Sequence, residues 1–131
     1  MSAAVLDQPL SRMNRPAAAA RDATRAFLSR ATRQRAPADD ESTDNVLLVV
    51  AELVANAVRH TIGPCALHLE LLDGSIDVCV TDHSPPLPQP RTPSTDGAGG
   101  WGWFMIKRLA TRIHIKPVPE GGKTICAELP W

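Results

Sequence analysis

No apolar run in the 131-residue chain is longer than Val46–Ala51, far short of the roughly 20 residues that cross a bilayer, so a membrane-spanning helix is not expected. Net charge is missing too. Fourteen Lys and Arg balance fourteen Asp and Glu, which argues against a general nucleic-acid polyelectrolyte. Cysteine is scarce: Cys65, Cys79 and Cys126 are odd in number and lack metal-ligand spacing, a pattern that suits reduced thiols in cytoplasm. A basic-then-apolar leader is lacking as well, because Arg12 and Arg15 interrupt the N-terminal stretch and Ala17–Ala20 is too short, so the expected address is cytoplasmic. No G-x-x-x-x-G-K-[ST] run occurs, which excludes a Walker-type phosphate loop.

What is present fits one ordinary domain, with 44% apolar residues to build a core and 21% charged residues to solvate it. Charge is uneven along the chain, at +5 over residues 1–38 and −5 over residues 39–131. Such asymmetry fits a basic tail, a partner contact or a solvated helix face.

Residues 1–15 have no sustained period and either fray or make one short strand. Ala17–Arg35 places Ala19, Ala23, Ala26, Phe27 and Ala31 at helical spacing, started near Pro16 and stopped by Pro37. A second helix follows the acidic cluster Asp39–Glu41, with Ser42 or Thr43 as N-cap, and runs to about His60. It is apolar enough to be buried, yet Glu52, Asn56 and His60 recur every fourth residue with Arg59 beside them. A polar stripe on a buried helix should face water, a ligand or compensating partners. Ala66–Leu72 and Ser75–Thr81 alternate around Asp73-Gly74, a hairpin signal of type I′. The Pro- and Gly-rich stretch 83–100 can be neither helix nor central strand, and loops of that length are functional or disordered. Gly102–Thr111 returns to helical spacing, and a second hairpin, Arg112–Pro117 with Lys123–Leu129, turns near Gly121-Gly122. This order predicts a two-layer α+β sandwich.

Three polar sites border the expected cavity. Glu52 and Asn56 lie one helical turn apart on one face, and an amide oxygen with a neighbouring carboxylate suits a hard ion such as Mg²⁺ and the polarisation of a hydroxyl. Asp82 ends a strand, where carboxylates meet ligand donors or cap turns. Gly99-Gly100-Trp101-Gly102 precedes a helix, a place where backbone amides approach phosphate. Each alone is a weak signal.

In this order, however, they resemble the GHKL superfamily, the histidine-kinase-like ATPases. Glu52–His60 (ELVANAVRH) resembles the N box, Val78–Pro88 (VCVTDHSPPLP) the G1 box, Gly99–Met105 (GGWGWFM) the G2 box and Gly121–Leu129 (GGKTICAEL) the G3 strand. The chain also resembles small actinobacterial ATP-binding proteins similar to anti-sigma-factor serine/threonine kinases. The resemblance implies a mixed, mostly antiparallel sheet covered on one face by helices. Residues 1–16 would be an N-terminal extension or short strand, and 17–131 an ATP-binding domain with a lid at 83–100. It implies ATP and Mg²⁺ as cofactors, with Glu52 as general base, Asn56 on the metal and Arg59 near the nucleotide. Asp82 would accept the adenine amino group with support from Thr124, and Gly100 and Gly102 would pass beside the phosphates. The implied function is a regulatory protein serine/threonine kinase that phosphorylates an anti-anti-sigma antagonist and sequesters a sigma factor. The alternative is a nucleotide-gated binding module with little or no kinase activity. A complete sensor kinase is not expected, since no phosphotransfer helix pair precedes the domain.

Two stretches depart from the family pattern. His83, Ser84, Pro85 and Pro86 replace the usual Asp-x-Gly-x-Gly glycines, and Trp101 and Trp103 stand where a basic residue and a leucine are familiar. The two indoles could close over a nucleotide or pack the lid, and packing is the expectation. His68, His83 and His114 have no ligand spacing. The Arg-rich first helix (Arg21, Arg25, Arg30, Arg33 and Arg35) offers a homodimer contact or a receptor for an acidic sigma-factor surface, and the resemblance implies a homodimer.

Overall fold

The computed structural model describes residues 3–60, 63–83 and 100–131, without the side chain of Trp101. Helix α1 (Pro16–Gln34) and helix α2 (Ser42–His60) follow strand β1 (Val5–Leu10). The hairpin β2 (Cys65–Leu72) and β3 (Ser75–Asp82) comes next, then α3 (Gly100–Leu109) and the hairpin β4 (Arg112–Pro117) and β5 (Lys123–Pro130). One five-stranded sheet in the order β1-β2-β3-β5-β4 carries the helices on one face, and all its pairings are antiparallel. The two-layer α+β architecture is therefore the expected one. Among the described residues no helix is long and apolar enough to cross a membrane. Residues 84–99, most of the expected lid and including Gly99, lie outside the described residues.

The core lies between α1, α2 and the inner sheet face. Val46, Val49, Val50, Leu53, Val54 and Ala57 form one stripe of α2, at most 8% exposed, against Leu67, Leu69, Ile76, Val78, Ala127 and Leu129 of the strands. The helix is not buried all round as the apolar run suggested: Ala51 is exposed, and Leu47 and Leu48 are half-buried. The inward face of α1 also differs from the expected one. Ala20, Thr24, Phe27, Leu28 and Ala31 are buried, whereas Ala26 faces solvent. Thr24 tolerates the core because its hydroxyl donates to the Ala20 carbonyl at 2.6 Å.

Two local expectations change in the same way. Neither Ser42 nor Thr43 caps α2, since Ser42 is already helical. Instead the Asp39 carboxylate accepts from the Glu41 amide at 2.9 Å and the Ser42 hydroxyl at 3.1 Å. At the β2–β3 turn Gly74 has φ +81° but Asp73 does not share it, so the turn is not type I′, which needs positive φ at both residues. Asp73 turns outward to Arg35 at 2.5 Å, and Trp131 donates its indole N–H to the Arg35 carbonyl at 2.9 Å, tying the end of α1 to the sheet.

The cysteines also differ from expectation. Cys79 and Cys126 face each other across β3 and β5, Cα atoms 4.0 Å apart, and form a disulfide. An odd count hides this pairing, because register, not sequence spacing, sets which residues of adjacent strands meet. Cys65 alone is a free thiol.

On the outer face, His68 joins β1 to β2, with Nδ1 2.6 Å from Asp7 and Nε2 3.3 Å from Glu70. Burial lowers its pKa, but the hydrogen bonds and charges of the two carboxylates outweigh burial and leave it raised above 6.5. A raised histidine stabilises the fold fully below its unfolded pKa and stops doing so as pH rises through the folded value. The melting temperature of His68→Gln should therefore fall below that of the native chain at about pH 5.5 and match it at about pH 8.5. Calorimetry at the two pH values checks this.

Candidate functional site

Strand alternation builds the floor of the site. Ile76, Val78, Val80 and Asp82 point to the helices, and the first three belong to the core. Asp82 closes this file at the sheet end and is only 3% exposed. Lys123 stands opposite it in β5, with Nζ 3.2 Å from Oδ2. The lysine side chain is 42% exposed, so a nearly solvent-free carboxylate is neutralised by a cation that still reaches water. Cys65, the β2 neighbour of Asp82, is pushed above its usual 9.0 by burial and then by the Asp82 charge, which keeps it a neutral thiol.

A cavity of about 30 Å³ opens above this floor. Val80 and Ile125 of the sheet and Leu53 and Ala57 of α2 are its apolar walls, and Asn56, His60, Asp82 and Lys123 bring polar groups to it. That volume holds about one water, so a heterocycle enters only if Lys123 moves off Asp82 or the α2 side chains part.

Glu52 lies one turn before Asn56 and is half-buried. Its carboxylate rests against Gly102 in the first turn of α3, so closely that a Cβ on Gly102 would overlap Oε2. Gly102 is the residue that lets α3 approach α2, and it brings Glu52 to the positive end of a helix. Arg59, exposed, donates to the Asn56 amide oxygen at 3.3 Å.

The structure thus brings Glu52, Asn56, Asp82, Arg59 and Gly102 to one side of the sheet around α2, and Gly100 opens α3 beside them. It does not bring Thr124 there. Thr124 lies on the outer face, its hydroxyl 2.7 Å from that of Thr81, because it alternates with Lys123 and Ile125, which line the cavity. Lys123 is the residue that sequence reasoning missed. The signal was available: if Ile125 and Ala127 face the core, Lys123 must face the same way. Trp103 packs against the core, while most of the lid it was expected to pack lies outside the described residues.

Residues 14–128 match the family described as the histidine kinase-like ATPase domain. The chain belongs to the histidine kinase-like ATPase domain family. No curated protein matches it, whereas nineteen solved chains do. One is the histidine kinase domain of the blue-light activated histidine kinase from Erythrobacter litoralis EL346, with TM-score 0.52 and 15% identity. The alignment covers 84% of this chain but only 60% of that one, and at this identity the likeness concerns the fold. Histidine kinase-like ATPase domains bind ATP, usually with Mg²⁺. The donors assembled here are oxygens and an amide, of the hard type that Mg²⁺ prefers, so the residues fit such a group.

The β4–β5 turn of this ATPase-like domain is anchored on the same floor. Gly122 has φ +93°, and a Cβ there would overlap the backbone carbonyl of Asp82. Backbone cannot rotate out of the way as a side chain can. Gly122→Ala should therefore destabilise the domain by about 1–3 kcal/mol in a urea titration.

Proposed function

We propose that the chain is an ATP- and Mg²⁺-binding regulatory protein serine/threonine kinase of the anti-sigma-factor type. It would phosphorylate a serine of an anti-anti-sigma antagonist and sequester a sigma factor when unopposed. The observation that carries the reading is the convergence of Glu52, Asn56 and Asp82 on one side of the sheet, with Gly102 against the Glu52 carboxylate. Asn56 would hold the metal, which supplies charge neutralisation for the phosphates when bound. Asp82 would accept the adenine amino group. Glu52 would take the proton of the attacking serine hydroxyl, and the backbone around Gly100 and Gly102 would lie beside the phosphates. The chemistry asked of the protein is positioning and proton acceptance.

A second reading, a nucleotide-gated binding module with little kinase activity, is favoured by one observation: Lys123 already occupies Asp82 above a cavity of about 30 Å³. The open groove between α1 and α2 supports a protein partner in either case. It has a volume of about 470 Å³ and is flanked by Arg25 and Arg33 with Leu28 and Leu47 at its base, suiting an acidic sigma-factor surface or a second copy of the chain. Titration calorimetry with Mg·ATP, followed by phosphate transfer to the candidate antagonist, tests both readings. Binding with transfer supports the kinase, binding without transfer supports the gated module, and no binding at millimolar nucleotide removes both.

A further inference from the structure

The sheet face turned away from the helices carries a second set of chemistry-bearing residues. In strand register, Asp7, His68, Cys79, Cys126 and His114 stand directly opposite one another in a single file across all five strands. The neighbouring file holds Glu70, Asp77 and Glu128. The Asp77 carboxylate lies 3.5 Å from the Cys79 sulfur, and the ligand atoms of Asp77, Cys79 and Cys126 are all within 4.8 Å of one another. In the disulfide neither sulfur carries a proton, so the carboxylate receives no hydrogen bond from the group it faces. A structural disulfide requires no carboxylate beside it. A cation held by two thiolates does make use of one.

We propose that the dithiol form of Cys79 and Cys126, together with Asp77, binds a thiophilic divalent cation of the zinc type, with His114 as the fourth ligand, and that disulfide and metal are alternative states of one site. The donor set of two sulfurs, one carboxylate oxygen and one imidazole nitrogen suits tetrahedral zinc. Tetrahedral zinc holds two thiolates about 3.8 Å apart, a separation reached by rotating the two side chains once the bond opens. His114 is exposed on β4 directly opposite Cys126, where a cross-strand neighbour reaches across about 5 Å. His68, opposite Cys79, is already engaged by Asp7 and Glu70, which leaves His114 as the nitrogen donor.

The interconversion balances with a dithiol reductant. The reductant gives two electrons and two protons to the Cys79–Cys126 disulfide, leaving two thiols and its own disulfide. The cation then binds the two thiolates and displaces their two protons to solvent. The site lies on the opposite face from the cavity beneath α2, so the inference is independent of the kinase reading.

The test uses the full chain, oxidised or reduced with a dithiol under anaerobic conditions, titrated with Co²⁺ alone and then Zn²⁺. The reduced chain should take up one Co²⁺ with the near-ultraviolet absorption of a thiolate-to-cobalt transition and the visible bands of a tetrahedral ion. Zn²⁺ should erase both, and the oxidised chain should show neither. Cys65→Ser should keep the bands, since that thiol is on the inner face. His114→Ala should weaken Co²⁺ binding at least about tenfold. The inference is overturned if reduced native chain binds Co²⁺ without the thiolate band, if it fails to bind micromolar metal, or if oxidised and reduced chains bind alike. These comparisons use native sequence, so they hold even where a cysteine variant fails to fold.

Discussion

Glu52→Gln should lower phosphoryl transfer from Mg·ATP by about 10²–10⁴-fold, with little change in nucleotide affinity or melting temperature. The substitution keeps shape and hydrogen-bonding length but removes the carboxylate proposed to accept the serine proton. Among the described residues Glu52 belongs to no ion pair, so the lost charge costs the fold at most its favourable place at the first turn of α3. Gly102→Ala is the companion variant. Its new Cβ would overlap the Glu52 carboxylate, but a flexible side chain can yield where the Asp82 backbone facing Gly122 cannot. The fold should therefore survive while the carboxylate is moved, and transfer should fall as it does in Glu52→Gln. Single-turnover transfer and slow hydrolysis of ATP, measured beside calorimetric affinity, separate the steps. Full transfer in Glu52→Gln with a loss in Gly102→Ala would assign the effect to the approach of α3 and not to the carboxylate.

The elements of this fold were legible because each carries its own period. The i, i+4, i+8 recurrence of Glu52, Asn56 and His60 marked the side of α2 that meets the cavity, and the alternation on either side of Asp73-Gly74 set the first hairpin to within a residue at each end. Three kinds of information were not in the periodicity. Just before α2 the Asp39 carboxylate takes the Glu41 amide and the Ser42 hydroxyl, because side-chain oxygens of neighbouring residues compete for the same donors. The inward face of α1 depended on how the helix rolled onto the sheet, and small alanines define that roll poorly. The disulfide and the pairing of Lys123 with Asp82 both required strand register, which fixes facing residues across sequence separations of 47 and 41. A motif match aligns residue types, whereas a strand shifted by one residue turns every side chain to the other face.

That last point sets the second large effect. Asp82→Ala should weaken Mg·ATP binding by about 10- to 150-fold, the contribution of roughly 1.5–3 kcal/mol that a hydrogen bond to a charged acceptor makes. Its stability should change little, because Lys123 loses its partner but already reaches solvent and can hydrate fully. Lys123→Met should behave in the opposite manner. It leaves the Asp82 carboxylate, 3% exposed, without its cation, and so lowers the melting temperature. It also removes the group that would compete with an adenine amino group for Oδ2, so affinity should rise where Asp82→Ala lowers it. Calorimetric titrations of both variants against Mg·ATP, with thermal melts of each, read the two signs together. Equal losses of affinity in the two variants would make Lys123 a direct nucleotide contact instead of a competitor, with the β5 side chain holding the ligand and the carboxylate merely holding the lysine.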